Sequence, residues 1–353
     1  MPTKFTPTIS LAESIKCPSI ELVPQGVHRP LWSVMIPTYN RTKYLEQTLQ
    51  SVLEQDPGEA MQIEVIDNCS TEADLEAVVR RIGQNRVFFY KQPKNIGSVA
   101  NFTTCIKRAK GHLVHILHDD DLVLPGFYSH LQSAFEQEPT IGAAFCRYAH
   151  VDESNRQQYL PMLERSTPGI VSNWLERIAV RQLIQPPAIV VRRSVYEKLG
   201  GFHPELGYAD DWEMWKRIAA HYRVWYEPKT LAYYRVHSSS TTSDLIRSGK
   251  NVVDVRKAIE ISRAYLPNSI ADKLSTKARE DCALFNALGS AYETLTRGDT
   301  ATTIVQIREA LKCSFSLRVI VAVALLPIRA VKSSFNNVVS NCISCFAQGN
   351  TTG

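Results

Sequence analysis

The 353-residue sequence contains no apolar run long enough to cross a membrane. Its most apolar stretch, Val319 to Ile328, stops well short of the roughly 20 residues a spanning helix needs. The opening residues lack the basic start, apolar segment and small-residue cleavage site of a secretory leader, so a cytoplasmic location is expected. No charge of one sign dominates either. Forty Lys and Arg against 35 Asp and Glu leave a formal charge of +5, too slight for a nucleic-acid-binding face. Cysteine occurs eight times, and only Cys342 and Cys345 stand as C-x-x-C. Neither a second pair nor neighbouring histidines complete a zinc site, and scattered free thiols fit a reducing compartment. At 44% hydrophobic and 21% charged residues, the composition also excludes a largely disordered chain.

What the sequence does contain is alternation. Residues 1–30 show no sustained period and read as an N-terminal arm. From Leu31, short apolar runs (Trp32 to Ile36, Ile63 to Ile66, Val87 to Tyr90, Leu113 to Leu117) alternate with segments of helical spacing at 42–53, 72–82 and 99–109. Apolar runs of this length read as buried strands. Four strand–helix repeats in series imply right-handed crossovers and a mostly parallel sheet flanked by helices, an α/β fold. Further on, the pattern predicts strands at 141–147, Ile189 to Val191 and Leu231 to Val236, and helices at 170–182 and 194–199. Beyond Ser240 only helical periodicity remains. The expected organisation is therefore an arm (1–30), an α/β domain (31–240) and a helical C-terminal region (241–353).

Polar residues collect where the strands end: Thr38-Tyr39-Asn40, Asp67-Asn68 and His118 to Asp121. In open parallel sheets the ligand crevice lies beyond those carboxyl ends. Three consecutive carboxylates, Asp119 to Asp121, repel one another unless solvent or a cation relieves them. Solvated turn residues are one reading; at the end of a buried strand, hard oxygen ligands for Mg²⁺ or Mn²⁺ are the other.

Five segments in order carry a resemblance. VMIPTYNR (34–41), EVIDNCSTE (64–72), NIGSVANFTTCIKRAKGHLVHILHDDDLVLPG (95–126), GGFHPELGYADDWEMWKRIA (200–219) and LAYYRVHSSS (231–240) resemble the family-2 glycosyltransferases, whose fold is the Rossmann-like GT-A. The likeness covers roughly residues 31–240. It implies an inverting transfer of a sugar from a nucleotide-diphosphate sugar to an acceptor hydroxyl, assisted by a divalent cation, Mn²⁺ or Mg²⁺. By the same resemblance Pro37, Thr38, Asn40, Asp67, Asn95 and Asp119 would bind the nucleotide sugar. Asp120, Asp121 and His237 would serve the metal, and Asp211, with Asp210 beside it, would be the catalytic base. A helix N-cap is the alternative that the position of Asp67 also permits.

The sequence departs from the commoner L-D-x-D-D form at His118, which falls on the leading aspartate and is expected to hydrogen-bond more readily than to ligate. Arg192, Arg193 and Arg235 are further candidates for diphosphate, and Trp212 and Trp215 for packing. A nucleotidyltransferase would show a Gly-rich basic loop after the first strand, where this chain has PTYNR. The competing reading is a non-catalytic nucleotide-sugar or glycan-binding protein on the same fold. The acceptor is expected to be a glycan or a lipid-linked glycan of the cell envelope. The run Val319 to Ile328, with Lys312, Arg318, Arg329 and Lys332 around it, is either a buried helix of a C-terminal bundle or a peripheral membrane contact through 312–332.

Overall fold

The computed structural model describes residues 16–330 apart from 57, 73 and 238–240. Cys342, Cys345 and Lys332 lie outside the described residues, as does the first half of the N-terminal arm. The chain divides into two compact units: residues 1–238 with 264–266, and residues 239–263 with 267–353.

The first unit is built on a sheet of ten strands: β1 (Trp32–Thr38), β2 (Met61–Asp67), β3 (Phe88–Lys91), β4 (Leu113–Ile116), β5 (Leu122–Val123), β6 (Ala143–Val151), β7 (Gln157–Tyr159), β8 (Gly169–Ile170), β9 (Ile189–Arg192) and β10 (Val224–Arg235). The main order is β3-β2-β1-β4-β9-β6-β10-β5, with β7 on β6 and β8 on β10. The expected parallel arrangement holds for β3-β2-β1-β4. At β9, which runs antiparallel to both β4 and β6, the sheet becomes mixed. All seven residues of β1 are buried, as a central strand covered on both faces requires. Val34, Ile36, Ile63 and Val65 join Leu45, Leu49 and Val52 of the helix Leu45–Leu53 in one core. Gly111 permits the close approach of β4 to β1, since a Cβ there would lie 2.6 Å from the Trp32 carbonyl carbon.

Two expected elements differ. The helix anticipated over 170–182 is confined to Trp174–Ile178. Ile170 pairs with Trp225 at the edge of the sheet, and the chain beyond 181 is non-helical up to the turn at Pro186–Ala188, where paired prolines disfavour a helix. The strand anticipated from Leu231 begins instead at Val224 and follows β6 in parallel, with register shifts around Glu227 and Thr230. Pro228 lies in that interval and cannot donate to a ladder, the usual place for a bulge. Part of the arm is packed: Cys17 and Ile20 are buried, and the Gly201 amide donates to the Pro18 carbonyl.

The described part of the second unit is helical, with helices Thr241–Ser248, Lys250–Ser262, Asn268–Asp281, Leu288–Thr296 and Thr300–Cys313 and a π-turn at Cys282–Ala287. A further helix occupies 317–330. Among the described residues, no helix is long and apolar enough to cross a membrane.

Candidate active site

β1, β2 and β4 deliver their last residues to one end of the sheet. The Asn68 amide donates to the Thr38 carbonyl, which locks the loop after β2 to the end of β1. Asn40, with φ of 49°, accepts the Thr71 and Glu72 amides on its Oδ1 at 2.8 and 3.2 Å. Asn tolerates that left-handed backbone better than most residues do. Asp67 accepts the Ser70 amide and hydroxyl on Oδ1 at 2.9 and 2.5 Å, and its Oδ2 stands 3.9 Å from the Lys91 ammonium. It therefore shapes a turn, while the helix cap belongs to Asp74, which accepts the Ala77 amide. Asn95 accepts from the Asn68 side chain at 3.1 Å and from the Gly97 amide at 2.9 Å, ordering the third loop.

The aspartate run follows β4. Thr38 donates to Asp119 Oδ2 at 2.5 Å. Arg41 reaches Asp119 Oδ1 at 2.8 Å and Asp120 Oδ2 at 2.5 Å through one nitrogen. Asp120 Oδ2 also meets His237 Nε2 at 3.0 Å. Asp121 accepts the Arg235 amide on Oδ1 at 2.9 Å, whereas its buried Oδ2 has no hydrogen-bond partner. His118 stacks on Phe102, with ring centroids 5.0 Å apart. Ligand atoms of His118, Asp120 and Asp121 all lie within 4.8 Å of one another.

Electrostatics separate these carboxylates. Burial, helped by Asp120 and opposed by Arg41, pushes Asp119 up to about 7. Burial and the Asp120 charge hold Asp121 well above the usual carboxylate range. Asp120 goes the other way: burial opposes its charge, but the His237 hydrogen bond and the Arg41 charge outweigh it. Burial lowers the His118 pKa despite Asp120, so the imidazole is neutral at pH 7, the form in which histidine ligates. An imidazole, two carboxylates and one unsatisfied buried oxygen make a donor set suited to a divalent cation. His118 is thus a stronger ligand candidate than the sequence implies, with His237 beside Asp120.

Asp210 and Asp211 open the helix Asp210–His221, where a helix N-terminus favours negative charge. Asp211 Oδ1 accepts the Trp212 amide at 2.6 Å and Oδ2 accepts the Gln182 side-chain amide at 2.6 Å. Trp212 and Trp215 are buried packing residues, the former donating to the Ile178 carbonyl. The two acidic groups share a neighbour in Tyr234. Burial raises its phenol far above the ordinary range, and Asp121, Tyr208, Asp120 and Asp211 add to the effect.

The structure takes Arg192 and Arg193 out of consideration for diphosphate. They donate to the Ile141 and Ala109 carbonyls, which precede β6 and β4 at the opposite end of the sheet. Arg235 stays at the site, donating to the Asp120 carbonyl at 2.7 Å. Sequence reasoning assigned nothing to Arg41 or Gln182. Arg41 follows Asn40 inside the first motif, and that adjacency was its only signal; Gln182 lies where no motif runs.

Comparison with known proteins agrees with this architecture. Residues 33–200 match the family model described as glycosyl transferase family 2. An uncharacterized protein of Mycobacterium tuberculosis is 28% identical over 257 residues, covering 69% of this chain and 79% of its own length. An uncharacterized glycosyltransferase of Rickettsia typhi is 24% identical over 222 residues, covering 62% and 68%. Among solved structures, the 1–349 portion of S. aureus TarS in complex with UDP-GlcNAc superposes with a TM-score of 0.63 at 17% identity, covering 82% of each chain. Against a longer TarS chain the TM-score is 0.59 at 18% identity, covering 87% of this chain and 53% of that one. The mannosyltransferase PcManGT of Pyrobaculum calidifontis, in complex with GDP-Man and Mn²⁺, gives 0.56 at 19% identity, covering 93% and 88%. Segment 33–200 of this chain belongs to glycosyl transferase family 2, carried on a GT-A fold.

Proposed function

We propose that the chain is an inverting glycosyltransferase acting on a nucleoside-diphosphate sugar, with residues 31–240 as its catalytic domain and 241–353 as a helical extension. The acceptor hydroxyl belongs to a cell-envelope polysaccharide or a lipid-linked glycan, handled at the cytoplasmic face. One observation carries the reading: Arg41 from the loop after β1 and His237 after β10 converge on Asp120 at 2.5 and 3.0 Å, beside the unpartnered Asp121 Oδ2, and Asp211, some 90 positions away in sequence, acts with them on the Tyr234 phenol. TarS and PcManGT, bound to UDP-GlcNAc and to GDP-Man with Mn²⁺, support the donor class.

In this reading Pro37, Thr38, Asn40, Asp67 and Asn95 line the nucleoside pocket through the loops after β1, β2 and β3. His118, Asp120 and Asp121 hold the cation, and Asp119 is fixed beside them by Thr38 and Arg41. A bound Mn²⁺ or Mg²⁺ supplies positive charge to the departing diphosphate. Asp211 accepts the proton of the acceptor hydroxyl as its oxygen bonds to the anomeric carbon and the bond to diphosphate breaks. Gln182 fixes one oxygen of that carboxylate, and Asp210 is its acidic neighbour.

With Mn²⁺ and a panel of nucleotide sugars, the protein is expected to hydrolyse or transfer one donor. Asp211→Asn is expected to lower that turnover by about 100-fold or more, with nucleotide affinity, measured by calorimetry, within about twofold of the parent. Normal turnover by the variant would remove Asp211 from the mechanism. Binding without turnover in the unaltered protein would favour the non-catalytic reading that the atypical His118 invites.

A further inference from the structure

The helix at 317–330 is apolar on two sides and buries one. Val319, Leu326 and Ala330 are buried, spaced seven and four residues apart, and form the covered stripe of the helix. Leu317, Ile320, Val321, Leu325 and Ile328 are exposed. Their spacing of i, i+3, i+4, i+8 and i+11 places them along the opposite side of the same helix. Leu317 is 75% and Ile328 64% exposed, and Phe315, just before the helix, is 75% exposed. Scattered apolar residues on a surface are ordinary, but a continuous stripe marks a contact.

Charge names the partner. From residue 310 to residue 353 the chain carries Lys312, Arg318, Arg329 and Lys332 and not one Asp or Glu. Lys312 pairs with Glu309 at 2.6 Å and Arg318 with Glu280 at 3.3 Å, both at substantially exposed cations. Arg329 has no ion-pair partner among the described residues. A second protein copy would bring the same cations to face each other, and a neutral apolar partner would leave them without purpose. An apolar stripe rimmed by cations, on a helix whose described residues are too few to cross a bilayer, is the form of an interfacial helix.

We propose that the stripe Leu317, Ile320, Val321, Leu325 and Ile328 lies in the headgroup boundary of an anionic lipid bilayer, with Arg318 and Arg329 against lipid phosphate. This deepens the membrane part of the function proposed above, but it stands on the second unit alone.

The test is co-sedimentation of the full chain with vesicles of phosphatidylcholine containing 30 mol% phosphatidylglycerol, compared with phosphatidylcholine alone. Partitioning onto the anionic vesicles is expected to be at least about tenfold stronger and to weaken with salt. The double variant Leu317→Ser/Ile328→Ser should lower it by at least about tenfold, and Arg329→Glu by about fivefold or more. All three positions are exposed, so circular dichroism should report an unchanged fold. Absent binding to the anionic vesicles, or equal binding by the parent and the double variant, overturns the proposal. Self-association in sedimentation velocity that the double variant abolishes would also overturn it, by making a second copy the occupant. Donor hydrolysis, assayed in the same samples without vesicles, reports on the catalytic reading independently. Its loss with vesicle binding intact would sink only that reading.

Discussion

Asp119 and Asp121 keep protons at a pH where most aspartates have lost theirs, and burial is the first reason. Asp120 between them is held ionised by His237 and Arg41 against its own burial. A cation binds carboxylates in competition with protons, so the site should load poorly in acid. Because Asp121 is held well above the usual carboxylate range and Asp119 beside it sits at about 7, Mn²⁺ affinity is expected to rise from pH 6 to pH 7 by up to roughly tenfold for each proton displaced. The stability linkage has the opposite sign. A carboxyl whose folded pKa lies above its unfolded value contributes stability at low pH that is lost as pH rises through about 7. In a chelator, the melting temperature should therefore fall between pH 6 and pH 8, and saturating Mn²⁺ should cancel the fall. Calorimetric titration and thermal melts at pH 6, 7 and 8 check both. A Mn²⁺ affinity that does not change from pH 6 to pH 7 would remove Asp119 and Asp121 from the cation's surroundings. The aspartates could be read from the sequence because three acids at the end of an apolar run stand out. Arg41 and Gln182 could not. Their partners lie 78 and 29 residues away, and no local period encodes such a pairing.

At the scale of the element, the helix Asp210–His221 is held by a charge pair with no solvent around it. Glu213 and Arg217 are both fully buried and meet at 2.8 Å. Arg217 also donates to the Leu199 and Gly201 carbonyls, and Tyr265 donates to Glu213. The turn at Gly200, where φ is 81°, is thereby tied to the helix that presents Asp210 and Asp211. Removing one partner of such a pair leaves the other charge buried and unpaired. Arg217→Met is expected to destabilise the first unit by about 3–5 kcal/mol, read as a lower urea midpoint. A loss under about 1 kcal/mol would mean that Glu213 finds another partner or a proton. The strands that lead to the site were plain in the sequence, since four-to-seven-residue apolar runs closed by polar loops admit few other readings. The segment 170–182 misled because its helical spacing was real but competed with strand pairing at Ile170 and with the prolines at 186 and 187. Tertiary pairing and backbone restriction decided that contest. The early start of β10 was obscured by Pro228, which reads as a strand breaker in isolation and sits at a register shift in the sheet.

For the whole molecule, the division into two units has a thermodynamic consequence. Every residue assigned to the donor, the cation or the base lies between Pro37 and His237, within the first unit. A ligand that binds one folded unit stabilises that unit by mass action, by about 2.7 kcal/mol at a concentration 100 times its dissociation constant. Chains with separate compact units need not unfold in one step. Differential scanning calorimetry of the full chain is therefore expected to resolve two transitions. UDP or GDP with Mn²⁺, whichever binds, should raise one of them and leave the other in place. The transition that moves should be the one lowered by Arg217→Met, because Glu213 and Arg217 lie in the same unit as the site. Equal movement of both transitions would show that the units melt as one cooperative body. Movement of the transition that Arg217→Met leaves untouched would place the nucleotide on the helical unit and end the assignment of the loops after β1, β2 and β3 as its site.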